Sequence, residues 1–118
     1  MNLGKTERLI IYSLGQFYQK LNQELQETPL QVRTSKITFI EMLNDSNLIS
    51  KQERTLYKNI ESLESKKLIT YDGKKIKFTP EGLAILEQIN QEAQQLNSLK
   101  DYFQQAKPKR KLQSVIRE

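Results

Sequence analysis

The sequence predicts a mainly α protein with one small β-hairpin (α+β), and three observations predict it. Apolar residues recur at helical spacing near both ends of the chain. Two interior runs are each preceded by a capping residue with a glutamate three positions on. In residues 68–79 the period drops to two around Asp72-Gly73, one of the strongest short hairpin signals because both positions tolerate positive φ.

In the first helix Thr6 is the expected cap, and Ile10, Leu14, Phe17, Leu21 and Leu25 form one stripe that should end near Gln26. Ile11 and Tyr18 lie partly off that stripe, so the helix is apolar over more than one small core needs, which predicts a second buried contact. Residues 28–36, with Pro29, read as a connector. Thr38 with Glu41 then makes a capping box, with Ile37 and Met42 as its hydrophobic staple, for a short helix stopping around Asn44. The turn NDSNLIS follows, with Leu48 and Ile49 tucked inward.

Ser50 with Glu53 makes the second capping box. It opens a helix over residues 51–66 whose apolar side is Leu56, Tyr57, Ile60 and Leu63. The opposite side carries Lys51, Arg54, Thr55, Lys58 and Ser62, with Gln52 and Asn59 at one margin and Glu61 at the other. In the hairpin, a two-residue Asp72-Gly73 loop sets Tyr71 opposite Lys74 and Ile69 opposite Ile76. Thr79 caps the last helix, Pro80 fills its first turn and Glu81 sits near its positive end. That helix runs to about Gln105 and carries Leu86, Ile89, Ala93 and Leu96 in near-heptad spacing, continued by Lys100 and Phe103.

Composition narrows the chemistry. With 118 residues the chain holds one modest core, so residues 1–106 are expected to form one domain and residues 107–118 a basic tail. Without cysteine or histidine there are no disulfides, no thiolate metal sites and no imidazole acid/base. Neither a phosphate loop nor a metal-binding acidic cluster is legible, so the expectation is no enzyme, no cofactor and no metal. The longest apolar run covers residues 9–12 and no leader pattern is seen, so a soluble cytoplasmic protein without membrane association is expected.

The net charge of +5 is unevenly placed. Residues 51–79 hold eight basic and four acidic side chains, residues 107–118 five and one, and residues 80–106 only one and four. The excess thus falls on the third helix, the hairpin and the tail, which is the charge pattern of a chain with an anionic partner.

Helix, tight turn, helix, hairpin, helix is the order of a winged helix-turn-helix, here with long N- and C-terminal helices. Residues 37–86 resemble winged-helix transcription regulators of the MarR and PadR type, in which a recognition helix runs into L-x-x-K-x-L-I, then a wing, then L-T-x-E-G. The strings in this chain are LESKKLI and FTPEG. Lys67 stands where those regulators commonly carry a glycine, and the wing is short.

The resemblance implies a sequence-specific regulator that binds double-stranded DNA, with residues 51–66 in the major groove and residues 69–79 on the backbone or minor groove. Carried over residue by residue, the DNA-binding positions are Ser50, Lys51, Gln52, Arg54, Thr55, Lys58 and Asn59 on the helix, and Lys74, Lys75 and Lys77 on the wing. Arginine and lysine suit guanine acceptors or phosphates, and glutamine and asparagine can pair with adenine. The plain alternative for both sets is ordinary solvated surface. The alternative of another class is a winged-helix adaptor that docks on a protein.

A homodimer is expected, since the last helix outruns one small domain; its interface is expected at Ile11, Tyr18, Leu86, Ile89, Ala93, Leu96 and Phe103. Lys107, Lys109, Arg110 and Lys111 read equally as a phosphate-binding arm or as a solvated end. Neither an effector ligand nor an operator sequence is specified by the sequence.

Overall fold

A computed structural model describes residues 2–23 and 32–110. Leu25, the helix end near Gln26, residues 28–31 of the expected connector and Lys111 of the tail lie outside the described residues. The elements run α1 (Lys5–Gln23), α2 (Lys36–Ser46), α3 (Glu53–Ser65), β1 (Ile69–Asp72), β2 (Lys75–Phe78) and α4 (Pro80–Gln105). Four helices with one small antiparallel sheet match the expected class. Among the described residues, no helix is long and apolar enough to cross a membrane.

The core is built from one face of each of the first three helices: Ile10, Ile11 and Leu14 from α1, Phe39, Ile40 and Leu43 from α2, and Leu56, Ile60 and Leu63 from α3. Leu68, Ile69, Ile76 and Ile89 close it from the hairpin and α4. Ile11 is wholly buried here, so the part of the α1 stripe that it widens is covered within the protein itself.

Helix ends differ from the expected ones by a few residues. Helix α1 starts one residue before Thr6, and Gly4 at its cap donates its N–H to Glu7 Oε1 at 3.0 Å. Ser35, not Thr38, caps α2, its hydroxyl accepting from Thr38 N at 3.2 Å. Ile37 and Met42 therefore sit exposed inside the helix instead of forming a staple. Helix α2 runs two residues past Asn44 and ends on Asn47 in the left-handed region, φ 55°. In the turn, Ile49 packs on the core and Leu48 is 85% exposed. Gln52 occupies the N-cap of α3 without a side-chain cap bond, so Ser50 caps nothing.

The end of α3 is locked more tightly than its sequence suggests. Lys67 N donates to Glu64 O and Leu68 N to Leu63 O, the two bonds of a Schellman motif, with Lys67 at φ 61° where glycine is favoured. Thr79 ties this junction to α4: its N–H donates to Leu68 O at 3.1 Å, its hydroxyl to Lys67 O at 2.6 Å, and the same hydroxyl caps Gly82 N at 3.0 Å. A Cβ on Gly82 would lie 1.8 Å from Leu68 O, so only glycine lets α4 start this close. The FTPEG string is thus a packing device.

Beneath the junction, Glu7 is buried and accepts from Lys66 Nζ at 2.9 Å and Ser62 Oγ at 2.9 Å. Burial pushes its carboxyl up; the hydrogen bonds from Lys66, Gly4 and Ser62, with the charge of Lys66, outweigh that and hold it below the ordinary value.

Candidate nucleic-acid interface

Helix α3 turns Leu56, Ile60 and Leu63 inward, which aims Arg54 and Lys58 at solvent in its first and second turns. Ser50, Lys51 and Gln52 are exposed in the extended approach to the helix rather than in its first turn. Thr55 and Asn59 are half-buried, and Asn59 Nδ2 is occupied by Thr55 O at 2.8 Å. Ser62 faces Glu7. Glu61 is exposed and, by helical spacing, shares the outer arc with Arg54 and Lys58, so the acid-free part of that arc is confined to the N-terminal half of α3.

In the hairpin the register is Ile69 with Phe78, Thr70 with Lys77, Tyr71 with Ile76 and Asp72 with Lys75. The loop is therefore Gly73-Lys74, not Asp72-Gly73. Gly73 at φ 65° is the first loop residue, where a type II′ turn carries glycine. Because the shift moves the pairing by two residues, Ile69, Tyr71, Ile76 and Phe78 still share the inner face. Lys75 and Lys77 stay outside, joined by Lys74 in the loop.

The hairpin is held from a side that the sequence reading took for a connector. Ile76 N donates to Thr34 O at 2.8 Å, Ser35 bridges Lys75 antiparallel, and Arg33 pairs with Asp72 at 3.3 Å. Tyr18 clamps the seam, its hydroxyl accepting from Thr34 N at 3.1 Å and donating to Ile76 O at 2.7 Å. Tyr18, expected at a dimer interface, is thus half-buried and engaged within its own chain. Extended segments this short leave no alternation to detect, so residues 32–35 gave no strand signal.

Tyr71 lies under Lys36, whose Nζ is 5.3 Å from the ring centroid. Its hydroxyl is buried with no hydrogen-bond partner among the described residues, and burial, then Glu64 and Glu61, push its pKa up to about 12. It stays protonated at neutral pH.

Ion pairs separate the cations into two sets. Arg8, Arg33 and Lys66 each hold a carboxylate. Among the described residues, Lys51, Arg54, Lys58, Lys74, Lys75 and Lys77 hold none, and neither do Lys5, Lys36, Lys67 and Lys100 or Lys107, Lys109 and Arg110.

The expected dimer surface divides similarly. Ile89 belongs to the core with Ile11, while Leu86, which packs against Gly15, and Tyr18 are partly buried against it. Ala93 is half-buried, while Leu96 and Phe103 are 68% and 71% exposed. The sequence reading missed Leu9, Leu99 and Tyr102, which are exposed beside them. A groove of about 650 Å³ runs between α1 and α4, with Leu9, Tyr12, Ile89, Ala93 and Leu96 along it. Comparison with protein-family models, with curated proteins and with solved structures finds no match for this chain.

Proposed function

We propose that this chain is a winged helix-turn-helix regulator that binds double-stranded DNA in a sequence-specific manner as a homodimer. The observation that carries the reading is the clustering of six exposed cations without a carboxylate partner on two adjacent elements, Lys51, Arg54 and Lys58 at the start of α3 and Lys74, Lys75 and Lys77 on the hairpin. Cations left unpaired on two adjacent elements of a helix–turn–helix–hairpin order suit phosphate and base edges, where counterion release supplies affinity. Arg54 and Lys58 reach into the major groove, Lys51 and Gln52 meet it at the helix start, and Lys74, Lys75 and Lys77 hold the backbone or minor groove. Thr55 and Asn59, half-buried, serve as the edge of the contact.

The test is selection from a random duplex pool, followed by anisotropy with a salt titration on the selected site and on a scrambled duplex. Arg54→Ala should cost about 1 to 3 kcal/mol on the selected site only. Replacing Lys74 and Lys75 by alanine should weaken both duplexes alike and reduce the salt slope by about 0.9 for each phosphate no longer neutralised. No enriched sequence, together with no binding of bulk duplex at low salt, overturns the reading in favour of a protein-docking adaptor.

A further inference from the structure

The stripe on α4 changes surroundings partway along. Gly15 meets Leu86 and Arg8 pairs with Glu92, so α1 and α4 run antiparallel. Helix α1 begins at Lys5, about level with residue 95 of α4. Beyond that point α4 outruns α1, and Leu96, Leu99, Tyr102 and Phe103 stand exposed, the last two in edge-to-face contact. The projecting residues 97–105 and the α4 wall of the α1–α4 groove, residues 89–97, each span about 12 Å.

We propose that the groove is filled by the projecting end of α4 from a second copy of this chain, the two α4 helices antiparallel about a two-fold axis near Asn97. The pairing specifies the dimer of the proposed function and needs no DNA. Three observations select this occupant. The projecting end and the groove match in length. The apolar stripe continues from one into the other on both sides of Lys100, so a two-fold pairing buries Leu99 and Phe103 of each copy against Leu9, Ala93 and Leu96 of its partner. Lys100 interrupts the stripe at a seam position: a parallel pairing sets it against its own copy, whereas the antiparallel one brings it toward Glu92 at the groove rim and Asp101 toward Lys5 and Arg8.

Because the chain has no cysteine, single introduced cysteines report the geometry directly. Asn90, Asn97 and Gln104 are exposed and seven residues apart, hence on one side of the stripe. In mild oxidant without DNA, Asn97→Cys should form a disulfide-linked dimer. Gln104→Cys alone should not, since its two copies would lie about 21 Å apart. An equimolar mixture of Gln104→Cys and Asn90→Cys should link. Self-linking of Gln104→Cys would make the helices parallel and overturn the proposal. A dimer by sedimentation in which Asn97→Cys does not link would place the interface elsewhere, and a monomer would remove the pairing altogether. Correct cross-links in a protein that binds no duplex would leave the pairing standing and sink the DNA reading alone.

Discussion

The two halves of α4 are one continuous helix with one repeating stripe, yet they live in different surroundings. The first half is welded to the domain. Thr79 and Gly82 seat it on Leu68, Leu86 packs on Gly15 and Ile89 closes the core. The second half carries apolar side chains as large, and nothing among the described residues covers them. The periodicity of a helix reports that a face is apolar, not what it touches. What divides α4 is the length of α1, which runs out near residue 95.

The strongest way to break this comparison is to place one charge in each half. Ile89→Asp should cost about 4 kcal/mol, close to the whole stability of a small domain, and thermal melts should show a largely unfolded protein. Leu96→Asp should change the melting of an isolated protomer by less than about 0.5 kcal/mol and act on self-association instead, read by sedimentation. Similar melts for the two would mean that the halves of α4 are not different in kind.

The weld itself is tested by Gly82→Ala. A methyl at 1.8 Å from Leu68 O forces α4 off the junction, at a cost of about 3 kcal/mol in denaturant unfolding, whereas the same exchange at an open helix position stabilises. An unchanged midpoint would show that the helix start can shift freely.

Glu7 sharpens the picture of the same end of the molecule through pH. Its folded value lies below the ordinary 4.5, so its contribution is fully present above about pH 4.5 and is lost as pH falls through the lowered folded value. Glu7→Gln should lower stability at pH 7 by about 2 kcal/mol and flatten the acid limb of the stability profile. A parallel acid limb in wild type and variant would assign the acid sensitivity to other carboxylates.

The smallest effect is a gain. Lys67 holds a left-handed conformation at the end of α3, and Lys67→Gly should raise stability by about 1 kcal/mol without touching the α4 end. A decrease would mean that the Lys67 side chain contributes more through its own interactions than the backbone strain costs.

Much of this was legible in the residues. The inward face of α3, the inner and outer faces of the hairpin, and both the start and the end of α4 followed from spacing and from Thr79-Pro80, because those signals are local: a cap, a proline φ and a two- or 3.6-residue period act within a few residues. The helix starts misread at Thr6, Thr38 and Ser50 failed for a related reason, since several adjacent residues can cap and packing selects among them. The hairpin loop slipped to Gly73-Lys74 while the faces held, because a shift of two in pairing preserves alternation.

By itself the sequence determined the order of elements, the side of each that is apolar, and the concentration of cations on α3, the hairpin and the tail. Only the tertiary structure decided which apolar residues are covered: Ile11 and Ile89 in the core, Tyr18 and Leu86 partly buried against it, and Leu96, Leu99 and Phe103 exposed. It also decided which cations are paired, and that residues 32–35 brace the hairpin. The reason is physical. Backbone period and capping are set by neighbours along the chain, whereas burial, ion pairing and strand bridging are set by whatever distant segment arrives alongside. Where α1 stops short of the end of α4, no local signal marks the place.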